Sequence, residues 1–205
     1  MQLSKINWFG IAGGSLTLIV IAVSLYYPWW QLTIGENLMK VNASPMNTNF
    51  GLLGKQFTIP IIWALNIGSI LTFLFSGIIM LIYSVIPTKS YSKDLLGFAY
   101  KKPLYAVVFS VVGLLIITLI AQAALGIGIP LMGTATVILP AAMTMGVNIS
   151  VLVSAAFQWP FWLAITAAAL CISARIYHRK LSATPKIAPL TTEAPATPTV
   201  TSASA

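Results

Sequence analysis

Acidic side chains are almost missing from this chain: its 205 residues include three Asp or Glu against eleven Lys or Arg. There is one histidine, His178, and one cysteine, Cys171. Each scarcity removes a class of chemistry. A single His and a single Cys complete neither a closed zinc site nor a haem ligand pair, and a lone Cys forms no intrachain disulfide. Gly13-Gly14-Ser15 lacks the Lys and the strand-to-helix context of a phosphate loop, and no Ser-His-Asp set is present. No catalytic residue, metal ligand or cofactor-binding residue is therefore assigned, and the chain reads as a non-enzyme with no cofactor. Charge of both signs is scarce too, at 7% of residues, against about 25% in soluble domains. That excludes a water-dispersed globule, and the solvent expected for most of this surface is lipid.

What the chain has in abundance is long apolar runs, which divide it as follows. Residues 1–7 form a short start, 8–29 a first transmembrane helix, 59–85 a second, 103–125 a third and 151–174 a fourth. Lys5 and the apolar run after it also fit a secretory signal peptide. The length of the run and its aromatic ends favour a retained helix: Trp8 lies at one end, and Tyr26, Tyr27, Trp29 and Trp30 at the other, like belts at two headgroup levels. Gly10 and Gly14 share a helix face at a spacing that lets a second helix approach closely, and packing within the chain is preferred to dimerisation. Asn66, Gln122 and Gln158, with Thr118 and Thr166, are expected to hydrogen-bond between helices. The architecture expected is an all-α integral membrane protein, a four-transmembrane-helix bundle with a small extracellular β-hairpin or sheet in its first loop.

That first loop, 30–58, alternates Trp30, Leu32 and Ile34 with Gln31 and Thr33, a strand period. Leu38–Val41 is expected to return as a partner strand, and Phe50–Phe57 to add a third. The loop 86–102 carries Lys89, Lys93, Lys101 and Lys102, with Tyr91, Phe98 and Tyr100 able to hold a short amphipathic helix at the interface. Residues 126–150 are apolar but broken by Gly and Pro, and are expected to be an external or re-entrant loop. The tail 175–205 opens with Arg175, His178, Arg179 and Lys180 and continues into a Pro/Thr-rich stretch too polar to bury a core. Lys101, Lys102, Arg175, Arg179 and Lys180 are assigned to anionic lipid rather than to nucleic acid. Lys5, the four lysines of 86–102 and the tail cations fall on one side, with only Lys40 and Lys55 on the other. The positive-inside rule then places both termini in the cytoplasm of a plasma-membrane protein. The sequons at Asn42 and Asn148 fall outside as candidate glycosylation acceptors.

In this order of features the chain resembles the claudins and their tetraspan relatives. Trp30 (or Trp29) fits the tryptophan after the first span, and Gly51-Leu52 fits the following Gly-Leu. Leu53 stands where that family has a second tryptophan, and its cysteine pair is absent. The resemblance implies four spans, cytoplasmic termini and a first external loop that forms strands. It does not carry over junction formation or ion selectivity. The function expected is non-enzymatic: a tetraspan that organises or associates with other membrane or envelope proteins, or with itself, through its external loops, in contact with membrane lipids. The alternatives are a small solute channel using 126–150 as a re-entrant loop, and an accessory subunit of a respiratory or quinone-linked complex.

Overall fold

The computed structural model describes residues 6–35, 38–87, 89, 91–125, 128–138 and 150–183. Five helices and six strands follow in the order α1 (Trp8–Ser24), β1 (Trp30–Ile34), β2 (Met39–Ala43), β3 (Asn49–Leu52), β4 (Lys55–Phe57), α2 (Pro60–Val85), α3 (Ser92–Ala99), α4 (Lys101–Leu125), β5 (Gly133–Ile138), β6 (Ser150–Phe157) and α5 (Trp159–Ala183). Local chemistry sets several of these ends. Asn7 caps α1 by accepting from Gly10 N at 3.1 Å, and Pro60 opens α2 where a missing N–H is no loss.

The expected all-α four-helix bundle is overturned. The strands form one antiparallel six-stranded sheet, β4-β3-β2-β1-β6-β5. Among the described residues three helices are long and apolar enough to cross a membrane: Pro60–Val85, Ser92–Ala123 with α3 and α4 taken together, and Trp159–Lys180. Helix α1 is apolar but has only 17 residues, the lower limit of the roughly 17–25 that span a bilayer.

Two departures from the expected boundaries explain this. The first apolar run stops being helical at Ser24, five residues before its expected end at Trp29: the amides of Tyr26 and Tyr27 both turn back to Val23 O, and Trp29 enters the core. The expected fourth span, 151–174, begins instead as a strand. Val153 and Ala155 are buried while Leu152 and Ala156 are exposed, and the strand pairs with β1 from Trp30↔Phe157 to Ile34↔Val153. Residues 133–138 pair with the same strand, so this part of 126–150 is sheet rather than a re-entrant loop. Residues 139–149 lie outside the described residues.

Helix α1 packs chiefly against α2 and α5. Glycine makes this approach close on two faces. A Cβ on Gly10 would collide with Ser84 Oγ, and one on Gly14 would lie 3.1 Å from Gly77 O on α2. A Cβ on Gly13 would lie 3.1 Å from Cys171 N on α5. The Gly10/Gly14 face thus packs within the chain. At the end opposite the sheet, fully buried Asn7 donates to Tyr83 Oη at 2.9 Å and to Ala174 O at 3.0 Å, tying α1, α2 and α5 together. Helix α3 folds back there on α2, with Ser76 Oγ donating to Ala99 O at 2.7 Å.

Candidate functional site

The sheet sorts its side chains by strand alternation. One face carries Trp30, Leu32, Val137, Val153 and Ala155, which pack with Leu114 of α4. Phe50 and Phe57 stack on that same face at 5.7 Å. The opposite face carries Gln31 and Thr33 of β1, Lys40 and Asn42 of β2, Thr134 and Thr136 of β5, and Ser154 of β6, in register, together with exposed Leu152 and Ile138. Across β1, β5 and β6 this face has no charge among the described residues.

A shallow hollow of about 450 Å³ lies there, lined by Gln31, Thr33, Thr134, Ser154 and Gln158 together with Met132, Gly133 and two alanines, so that its exposed surface is more apolar than polar. Carboxamides and hydroxyls both donate and accept, so the hollow sets a few uncharged hydrogen-bonding groups in an apolar surround. The hollow spans strands contributed by both loops, and neither loop alone would make it.

Trp29 and the turn 44–48 hold the sheet to the helices. Trp29 is fully buried. Its Nε1 donates to Ser24 Oγ at 2.7 Å, its N to Ala43 O at 3.0 Å, and its O accepts from Gln158 N at 2.8 Å. Its ring meets Phe161 edge-on at 6.1 Å. Trp30 Nε1 donates to Leu131 O at 2.8 Å. Both indoles are therefore core residues, which corrects their expected place in an interfacial belt; burial with a satisfied N–H is the lower-energy use of such a ring. Tyr26 and Tyr27 are exposed, and Tyr27 lies against exposed Trp159 at 5.6 Å.

Ser44 Oγ accepts from Met46 N and Asn47 N, and Thr48 Oγ1 donates back to Ser44 O at 2.7 Å. The turn so formed drives Met46 into the core beside Trp29, Phe73 and Phe161, while Asn47 Nδ2 donates to Leu25 O at 2.7 Å at the end of α1. Asn66, buried on α2, completes the joint. In the carboxamide orientation that satisfies both neighbours, it donates to Pro45 O at 3.2 Å and accepts from Thr48 N at 2.9 Å. Its partner is thus the first loop, not another helix.

The other predicted residues are dispersed. Gln122 is exposed on α4, and Gln158 sits at the β6–α5 junction. Thr118 and Thr166 bond carbonyls of their own helices, so these four do not make the expected interhelical bonds. Asn42 Nδ2, the atom a glycan would occupy, donates to Asn49 Oδ1 at 2.9 Å across β2 and β3. Asn148 lies outside the described residues. Lys102 lies over the Phe98 ring at 4.9 Å and Arg175 over Tyr100 at 5.1 Å, while Lys101, Arg179 and Lys180 are exposed. All five belong to the end opposite the sheet.

The Ser44–Thr48 joint was missed by sequence reasoning. Its signal was Met46, an apolar side chain isolated in a polar loop between Ser44 and Thr48. No protein family matches this chain, and no curated protein is similar to it.

Proposed function

We propose that this chain is a non-enzymatic membrane protein that associates with other membrane or envelope proteins through the outer face of its sheet, where uncharged hydrogen-bonding groups lie beside exposed Leu152 and Ile138. The observation that carries this reading is the merging of two loops into one rigid sheet whose outer hollow offers uncharged donors and acceptors. A hollow without charge discriminates by shape and hydrogen-bond pattern rather than by field, which suits a partner already confined to the same membrane.

The proposed setting is the plasma membrane, with the sheet outside and the basic helix ends at the cytoplasmic surface. The separation of cations supports it: Lys93, Lys101, Lys102, Arg175 and Arg179 lie at the end away from the sheet, whereas the sheet itself carries Lys40 and Lys55. The test is a photo-crosslinking amino acid placed in native membranes at Thr33, Thr134 or Ser154, with the same group at Phe109 on α4 as control. The reading expects one reproducible protein adduct from the sheet positions that the control does not give. Adducts that match the control, or none, would reject it. A reporter fused after Asn42 tests the orientation separately and should face outward.

A further inference from the structure

A second cavity lies away from the sheet's outer face. Helices α2 and α4 touch only lightly and leave between them a groove of about 460 Å³, within the range of small-molecule sites. Its apolar walls include Ile62 and Leu65 on one side and Phe109 and Ile117 on the other, and the turn 44–48 lies over its sheet end. No charged residue is among those lining it. Both helices are apolar enough to cross a membrane, so the groove opens into hydrocarbon.

Two hydroxyls, Ser69 of α2 and Ser110 of α4, also line this groove. Elsewhere in the helices Thr17, Thr72, Ser84, Thr166 and Ser173 each donate to the carbonyl four residues back. Neither Ser69 nor Ser110 has a hydrogen-bond partner among the described residues. A bare hydroxyl in hydrocarbon costs several kcal/mol of lost hydration unless something bonds it. Ser69 lies about 13 Å along α2 from Pro60, at 1.5 Å per residue, below the depth that bulk water supplies.

We propose that this groove binds a neutral bilayer lipid, an alkyl-chained molecule that brings an uncharged carbonyl, ether or hydroxyl oxygen to Ser69 and Ser110. Phosphate-headed lipids are disfavoured because the groove offers no cation to a buried phosphate. A water-soluble ligand is disfavoured because the open side faces lipid. Gly113 completes the site's shape: it lines the groove, and a Cβ built on it meets nothing within 4 Å.

The test uses the full chain in phosphatidylcholine nanodiscs with a diazirine-bearing diacylglycerol, compared at equal mole fraction with a diazirine-bearing phosphatidylcholine. Adducts are mapped by mass spectrometry. The diacylglycerol probe is expected to label 62–69 and 106–117 about tenfold more than the phospholipid probe, the ratio set by two modest hydrogen bonds. The Ser69→Ala, Ser110→Ala double variant should bring the two probes level. Gly113→Phe, whose ring enters open space and whose helix gains propensity over glycine, should abolish labelling by both while the fold persists. Equal labelling of the native chain by both probes overturns the proposal, as does labelling that Gly113→Phe leaves unchanged.

Discussion

Replacing Asn66 by Ala tests how the sheet is held to the helices. The carboxamide meets one acceptor and one donor of the turn, Pro45 O at 3.2 Å and Thr48 N at 2.9 Å. Removing it leaves both backbone groups beneath the turn without their partner. A buried group so abandoned costs about 1–3 kcal/mol, whereas polar contacts within membrane bundles average only about 0.6 kcal/mol. Asn66 lies between these cases, two turns into α2 beneath the sheet, and a loss of about 2 kcal/mol is expected. That corresponds to a roughly thirtyfold larger open population of the turn. The direct assay is amide hydrogen exchange at Thr48 in detergent or nanodiscs, read beside thermal unfolding. Thr72→Val is the control, because Thr72 is exposed and bonds only Gly68 O of its own helix at 2.8 Å. It should leave exchange at Thr48 unchanged. If Asn66→Ala lowers stability while Thr48 exchanges at the native rate, the joint between α2 and the turn is not what Asn66 holds.

Three further outcomes follow from the same geometry. Leu53 is exposed and has φ +51°, followed by Gly54 at φ +81°, the two-residue turn geometry that favours Asn-Gly; Leu53→Asn should stabilise the β3–β4 hairpin by about 1 kcal/mol, seen as a higher melting temperature, and a lower one would contradict the turn assignment. Gly13→Ala should destabilise by about 1–3 kcal/mol, because its Cβ would press on the backbone at Cys171 N; cross-linking should show no change in oligomeric state, as the contact is internal. Asn7→Ala should lose about 2–4 kcal/mol, from a helix cap of ~1 kcal/mol and the buried groups Tyr83 Oη and Ala174 O left unpaired; a Tyr83→Phe background should shrink this effect, and strict additivity would refute the coupling.

How far the fold could be read from sequence depends on how local its signals are. Strand β1 declared itself, since Gln31 and Thr33 alternate with apolar neighbours and the alternation needs no knowledge of the partner. The return strand was visible because Gly35-Glu36-Asn37 is a turn sequence that sends the chain back beside β1. The β3–β4 turn was hidden because Leu53 occupies a left-handed position that sequence rules assign to Asn or Gly. Strand β6 was hidden more deeply. Val151–Phe157 runs without a charge into Trp159–Ala174, and a continuous apolar run is compatible with either a buried strand or a membrane helix. Its partner, the uncharged edge of β1, lies more than a hundred residues away in the chain. The candidate hollow was illegible for the same reason, because Gln31 and Thr134 share a surface only once β6 stands between their strands.

Trp29 and Trp30 show why an aromatic cluster at the end of an apolar run has two physical readings. At the edge of a bilayer an indole gains by keeping its N–H wet while its ring touches lipid. The same ring gains more when a protein carbonyl or hydroxyl takes the N–H and the whole side chain leaves solvent. Here Ser24 Oγ and Leu131 O supply those acceptors, so the second use wins and the chain turns inward at Ser24. Shortening α1 in this way is what allows Trp29 to accept Gln158 N and to donate to Ala43 O, locking the start of β1 to both neighbouring strands at the helix ends. The sheet is therefore continuous with the helical core through Met46, Trp29 and Phe161. Its outer face is held by the same contacts that pack the helices, and a partner bound there would meet a surface already ordered before it arrives, with little conformational entropy left to lose.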